Sequence, residues 1–349
     1  MIFVGDIAMP DLLTKSFKSL NPNFFSNKSW FGNIEGSIVK NTNNKYQKSR
    51  SVFNDINSVK RLIDTFDFKG FALANNHIFD ISDLETTLYH LNSLSIPFCG
   101  IGKNIEEASK PLLIEEDGYK IVILNFGWEV IQCDVASNNL AGVNPLTRDH
   151  VLDSVREAVK DYPDAKIITY MHWSYELEAE PQPFERELAK MVIDLGAWGV
   201  IGSHPHRIGG FETYKGRPIV YSLGNWMFRQ KYYFDGRLAF PDFCNLELAF
   251  EWDLANDDYK FHFFDYNRDT SELTYLQTEG KDSPTMISHT PFLGLSDKEY
   301  KSWYKKNHYH KNKGLPIYYW DDSNHQIHCK NNLVSLRARL MKIILNKGK

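Results

Sequence analysis

Residues 188–206 read LAKMVIDLGAWGVIGSHPH, and their pattern decides the fold class. Leu188, Met191, Val192 and Leu195 recur at i, i+3, i+4 and i+7, the spacing of a helix with one face to bury. Gly196 stands where a helix ends in a left-handed residue. Val200 and Ile201 form a short apolar run that reads as the next strand. Directly behind it come Gly202, Ser203, His204, Pro205 and His206. A helix leading through glycine into an apolar strand that ends in polar side chains is the repeating unit of an α/β sheet.

The unit's elements recur on both sides of this stretch. Apolar runs at Ile2–Val4, Gly70–Leu73, Ile121–Leu124, Ile167–Tyr170 and Ile219–Tyr221 read as strands, and Val59, Leu62, Ile63 and Phe66 as a helix face. After Asn225 the character changes. Asn245–Trp252 reads NLELAFEW, with Leu246, Leu248, Phe250 and Trp252 on one face and Glu247 and Glu251 on the other, which predicts a half-buried antiparallel strand. Its partner is expected over Lys260–Tyr266 after a turn at Asn256–Asp258. Residues 298–320 are rich in Tyr, Lys and His. Residues 333–345 read as a helix with Leu333, Leu336, Leu340 and Ile344 apolar. Its Arg337, Arg339 and Lys342 could touch a membrane surface, but a docked helix with those basic residues in solvent is the preferred reading. The expected organisation is an α/β domain over residues 1–240 and an extension over 241–349 that completes the sheet and ends in a helix.

The chain has 349 residues, 42% hydrophobic and 24% charged, which suits a folded globular protein with a large core. A formal net charge of −4 gives no electrostatic footprint for nucleic acid. Cys99, Cys133, Cys244 and Cys329 form no CxxC pair, which argues against a structural zinc site or a disulfide framework. The opening MIFVGDIAMP lacks a basic region followed by a long apolar stretch, and no run of 18 apolar residues occurs, so a cytoplasmic protein without a transmembrane segment is expected. No P-loop pattern suggests ATP-driven ligation.

Five short motifs at strand ends concentrate metal-ligand residue types: Gly5-Asp6; Gly32-Asn33-Ile34-Glu35; Asn75-Asn76-His77 with Asp80; His172-Trp173; and Gly202-Ser203-His204-Pro205-His206. Singly, most have an ordinary explanation. Gly-Asp is common turn chemistry, and Asn75-Asn76 could be a left-handed turn. Two imidazoles flanking a proline after a buried strand have no common structural purpose. In open α/β sheets ligands bind beyond the carboxyl ends of the strands, so the five motifs converge on one crevice. Divalent ions held there can clamp phosphoryl oxygens and activate water near neutral pH.

The order Asp, acidic residue, Asn-His, His, His-x-His resembles the calcineurin-like metallophosphoesterase series, a sandwich of mixed β-sheets flanked by helices. The wording is closer to the CapA family of poly-γ-glutamate and capsule biosynthesis. It rests on Gly5-Asp6, Asn33-Ile34-Glu35-Gly36, Ala74-Asn75-Asn76-His77-Ile78-Phe79-Asp80, His172-Trp173-Ser174-Tyr175-Glu176, Gly202-Ser203-His204-Pro205-His206 and Tyr221-Ser222-Leu223-Gly224-Asn225, spread over residues 1–230. The resemblance implies that Asp6 and His206 bind one ion, that Asn76, His172 and His204 bind another, and that Glu35 bridges. It also implies that His77 protonates the leaving oxygen or stabilises transition-state charge, and Asp80 could orient its ring. Glu176 and Asn225 would line the pocket, and Arg207 would clamp a phosphate or carboxylate. A donor set without thiolate suits Mn, Fe or Zn, as one or two ions.

Two departures bear on the chemistry. Ala8 stands where these phosphoesterases usually carry a second-ligand histidine, and the bridging position holds Glu rather than Asp. The leading expectation is a metal-dependent phosphoester hydrolase serving capsule, surface-polysaccharide or poly-γ-glutamate production, acting on a small-molecule or polymer-derived substrate. Its partners would be polymer-synthesis proteins. The alternatives are a non-catalytic metal-holding accessory subunit of a synthesis or export complex, and a metal-dependent amide hydrolase or transferase on a γ-glutamyl or peptide substrate.

Overall fold

The computed structural model describes residues 1–11, 28–41, 51–81, 83–311 and 314–347. It contains two principal sheets. The first holds β1 (Ile2–Ile7), β2 (Ser29–Ile34), β5 (Asp67–Ala72), β6 (Phe98–Cys99), β15 (Leu246–Asp253), β16 (Asp258–Asn267) and β17 (Glu272–Glu279), in the order β17-β16-β15-β1-β2-β5-β6. The second holds β8 (Leu112–Glu116), β9 (Tyr119–Gly127), β11 (Lys166–His172), β12 (Gly199–Ser203), β13 (Phe211–Tyr214) and β14 (Arg217–Val220), in the order β13-β14-β12-β11-β9-β8. Two short ladders pair β3 (Ser37–Val39) with β4 (Phe53–Asp55) and β7 (Ile101–Gly102) with β10 (Gly142–Val143). The helices are α1 (Ile56–Thr65), α2 (Leu84–Leu94), α3 (Ile105–Ala108), α4 (Arg148–Asp161), α5 (Pro183–Asp194), α6 (Pro284–Ser288), α7 (Asp297–Lys311) and α8 (Asn324–Lys347).

Strand periodicity explains the layering. Phe3, Phe31, Ile168, Tyr170, Ile201, Val220 and Phe250 form a core between the sheets. Their neighbours Ile2, Val4, Trp30, Ile167, Met171 and Val200 belong to the core beneath the helices. Phe31 meets Tyr170 edge-on at 5.6 Å, and the Tyr170 hydroxyl donates to the Val4 carbonyl at 2.8 Å, tying sheet to sheet. On the outer faces Trp30 packs at 4.7 Å on Phe66, just after α1, while α4 and α5 cover the second sheet. The fold is the expected α/β arrangement of mixed sheets flanked by helices. Gly196, at φ +111°, ends α5 as its position predicted.

Two expectations need correction. The strand at 245–252 is buried on both faces, because Leu248, Phe250 and Trp252 enter the core between the sheets while on the other face Ala249 joins the core beneath the helices and the 226–228 loop covers Glu247. Both Glu247 carboxyl oxygens lie 3.0 Å from the Met227 N–H, and burial pushes the group up to about 8, so the side chain sits inside as a carboxyl that favours its neutral form. The terminal helix docks by a different face from the leucine stripe. Val334 packs on the core, whereas Leu333, Leu336 and Leu340 are exposed at 58%, 55% and 50%. The side chain of Ile344 lies outside the described residues. No helix among the described residues is long and apolar enough to cross a membrane.

A buried carboxyl in α5 yields a pH prediction. Glu185 accepts from the Gln182 N–H at 2.7 Å, yet burial pushes it up to about 8. In the unfolded chain a Glu titrates near ~4.3. The folded state therefore keeps a proton that the unfolded chain releases between those values. The stability this contributes is full below ~4.3 and is lost as pH rises through about 8. Glu185→Gln keeps the accepting oxygen and cannot ionise. Thermal unfolding from pH 5 to 9 should show the wild type losing more stability than the variant, whereas parallel curves would refute the shift.

Candidate metal centre

Parallel pairing of β2 with β1 and β5, and of β11 with β9 and β12, brings strand ends that are distant in sequence to one edge of the sandwich. Asp6 lies opposite Asn33, His172 opposite Ser203, and Asp6 bridges to Asn225. Gly5 permits this convergence. A Cβ there would stand 1.9 Å from the Gly224 carbonyl oxygen, so any side chain would push β1, and Asp6 with it, away from the Tyr221–Asn225 segment.

The result is two overlapping donor groups. Glu35, His172 and His204 place ligand atoms within 4.8 Å of one another, and so do Asp6, Glu35 and His206. Glu35 is common to both. All five side chains are buried. Asn76 joins the first group, its Oδ1 lying 3.0 Å from His172 Nε2.

Each side chain is held by the fold. Asp6 Oδ1 accepts from Asn33 Nδ2 at 2.8 Å and Oδ2 from the His204 N–H at 3.0 Å. His172 Nδ1 bonds Ser203 Oγ at 3.0 Å. His206 Nδ1 bonds Asn225 Oδ1 at 2.9 Å, and the ring stacks on Phe240 at 4.4 Å. Outer hydrogen bonds of this kind fix ring orientation in metal sites. His204 at φ +97° and His206 at φ +58° both occupy left-handed backbone, which costs of order ~1–3 kcal/mol per non-glycine residue and concentrates at functional sites.

Glu35 is the anomaly. Its N–H donates to the Ile7 carbonyl at 2.9 Å and its carbonyl accepts from Asn54 Nδ2 at 2.8 Å, so the backbone is fixed on both sides. Its two carboxylate oxygens are buried with no hydrogen-bond partner, as is His204 Nδ1. Burial, reinforced by the charges of Asp6 and Glu176, raises the Glu35 carboxyl well above its usual range. Burial also raises Asp6 to about 7, drives His172 and His204 well below theirs, and lowers His206 to about 3. Neutral imidazoles around unpartnered carboxyl oxygens are short of positive charge, and a divalent cation is the partner that donor set fits.

The other expected residues surround the donor groups, with Asn225 buried behind His206. His77 is a quarter exposed; its Nδ1 lies 2.8 Å from Asp80 Oδ2 and its Nε2 3.8 Å from Glu35 Oε1. Asp80 also accepts from the Val52 N–H at 2.8 Å. Glu176 lines a cavity with Asn76 and His204. Asn225 touches the His206 ring. Arg207 lies over the Phe243 ring at 4.2 Å and its Nη1 reaches the Leu177 carbonyl at 3.5 Å, contacts outside the donor groups.

Some supporting residues escaped the motif reading. Asn75 donates to the Ile34 carbonyl at 2.8 Å and accepts from the N–H groups of His77 and Gly36, binding the β2 and β5 ends together. Asn33 and Ser203 were visible inside their motifs without a role. Asn125 accepts from the Leu73 and Ala74 N–H groups and donates to the Tyr170 carbonyl, joining the two sheets, and nothing in its local sequence signals this.

Residues 1–230 match the profile of the bacterial capsule synthesis protein family PGA_cap. The chain belongs to that family. Among its relatives are the PGA biosynthesis protein CapA of Bacillus subtilis, 30% identical over 65% of this chain and 63% of that protein, and the capsule biosynthesis protein CapA of Bacillus anthracis, 26% identical over 66% and 60%. The matched region thus spans about three fifths of the length of these two PGA_cap relatives. A Mycobacterium tuberculosis protein named "Probable polyglutamine synthesis accessory protein" is 28% identical over 44% of this chain and 43% of its own. Among solved structures, a 5′-nucleotidase precursor from Thermus thermophilus overlaps with a TM-score of 0.41 at 9% identity, covering 90% of this chain and 60% of that one. A likeness that slight decides nothing about the activity of this PGA_cap member.

Proposed function

We propose that the chain is a metal-dependent hydrolase, acting on a phosphoester in the production of capsule or poly-γ-glutamate. One observation carries the reading: a wholly buried carboxylate, Glu35, with neither oxygen hydrogen-bonded, shared between the Asp6/His206 and His172/His204 groups. Asp6, Glu35 and His206 would hold one divalent ion, and Glu35, Asn76, His172 and His204 a second. Such ions, when bound, supply Lewis acidity toward phosphoryl oxygens and an activated water. The chain's own residues do the rest. Ser203 and Asn225 orient the imidazoles, and Asp6 is fixed by Asn33 and the His204 N–H. His77, bonded to Asp80 and next to Glu35, is placed to give a proton to a leaving oxygen from Nε2.

A metal-holding accessory role is the second reading. It is favoured by the wholly buried Ala8, just after β1, at the place where the resembling phosphoesterases usually carry an imidazole, and by the name of the mycobacterial relative. One experiment separates the two: metal analysis of protein purified without added metal, with a phosphoester panel assayed in Mn²⁺, Zn²⁺ and Mg²⁺. The hydrolase reading expects bound metal and turnover. Bound metal without turnover on any ester would support the accessory role, and protein free of metal in every condition would overturn both.

A further inference from the structure

Beside the donor groups lies a cavity of about 260 Å³, reached past Asn76, Glu176 and His204. It is smaller than the ~300–1,000 Å³ of pockets that enclose a whole ligand, so it extends the metal centre rather than forming a separate pocket. Part of its lining is Gln132, which follows the short 3-10 turn Glu129–Ile131, and part comes from beyond the family-matched region, from Leu315 and from Arg337 of α8. That turn packs against α8, and Val334 anchors the helix to the core. Val334, Arg337 and Ala338 all face the cavity. The docking that leaves the leucine stripe in solvent therefore puts an arginine in the wall of the cavity that Asn76 and His204 also line. Among the described residues no carboxylate forms an ion pair with Arg337.

We infer that Arg337 forms a subsite for an anionic group that the substrate carries beyond the bond being cleaved. A planar guanidinium suits a carboxylate or a phosphate, through paired N–H bonds. The inference rests on the hydrolytic reading of the metal centre and adds a substrate class, esters with a second negative charge a short distance from the reacting phosphorus. It also gives the terminal helix a function at the site.

Three esters with one leaving group test it: ethyl p-nitrophenyl phosphate and its 2-carboxyethyl and 2-phosphonoethyl counterparts. In the metal-loaded full chain kcat/KM should favour the charged esters over the ethyl ester. Arg337→Ala should lower that preference by about 10–100-fold, the range for a hydrogen bond to a charged group. Arg337→Lys should restore part of it, and Arg337→Glu should reverse it. Comparing the two charged esters shows whether carboxylate or phosphonate fits better. An equal preference in wild type and Arg337→Ala would overturn the subsite while leaving the hydrolase reading standing. Should no ester turn over, the hydrolase reading falls, and calorimetric binding of the matching ethyl and 2-carboxyethyl phenylphosphonates decides the subsite. Tighter binding of the carboxylated compound, lost in Arg337→Ala, sustains it; equal affinities overturn it.

Discussion

Glu35→Gln is expected to strip metal from both positions at once and to abolish turnover. Glu35 is the only carboxylate common to the two donor groups, and its backbone is fixed by Ile7 and Asn54, so its side chain is held at that shared place. Losing a group that merely supports a metal ligand costs about 10–100-fold in metal affinity. Losing a shared anion should exceed that at each position. Single-group variants set the contrast: Asp6→Asn should deplete mainly the position with His206, and His204→Ala mainly the one with His172. Metal content after exhaustive dialysis reads all three, and wild-type occupancy in Glu35→Gln would remove the centre from consideration. Stability provides a second readout of opposite sign. Without metal, Glu35→Gln should unfold at a temperature no lower than wild type, since it replaces a buried unpartnered carboxyl with a group that cannot ionise. With metal at ~100 times its dissociation constant the wild type should gain about 2.7 kcal/mol and the variant almost nothing.

The gathering of the candidate ligands was legible in the sequence because residue type and topology coincide there. Asp6, Asn76, His172, His204 and His206 each come after a short apolar run, and parallel strands deliver such ends to one edge, whereas Glu35 was legible only from its motif. Strands rich in Ile, Val and Leu, such as 121–124 and 167–170, declared themselves for the same reason: buried on both faces, they have no polar alternation to confuse them. β2 did not. Ser29–Ile34 mixes Ser, Trp, Gly and Asn, and only its place between β1 and β5 makes it a central strand. The terminal helix misled differently. Apolar spacing shows which face could dock, but Val334 and the small Ala338 fit the available surface, and three leucines were left outside. Side chains such as Asn75 and Asn125 work by bonding backbone groups from other strands, a contact no local pattern encodes.

His77→Ala should separate catalysis from binding, because His77 lies at the rim while the donor groups are buried. Its Nε2 is 3.8 Å from Glu35 Oε1 and its Nδ1 is held by Asp80, an arrangement for delivering a proton rather than for coordinating an ion. Loss of general acid assistance typically costs ~10²–10⁴-fold. The variant should therefore keep wild-type metal content while kcat falls by that amount. The loss should shrink for a p-nitrophenyl ester, whose leaving group needs no proton, and grow for an alkyl ester. Asp80→Asn should give a milder defect of the same pattern. Its amide oxygen can still face the ring, but it no longer stabilises the charged imidazolium, and a small loss of stability through the Val52 contact is expected. A packing role makes the opposite forecast. Truncating a merely structural His77 would lower the melting temperature equally in the presence and absence of metal, and would leave kcat per folded molecule unchanged for both classes of ester. The dependence on leaving group is thus the deciding measurement, since no change in packing can make one ester lose more rate than another in step with the basicity of the oxygen it expels.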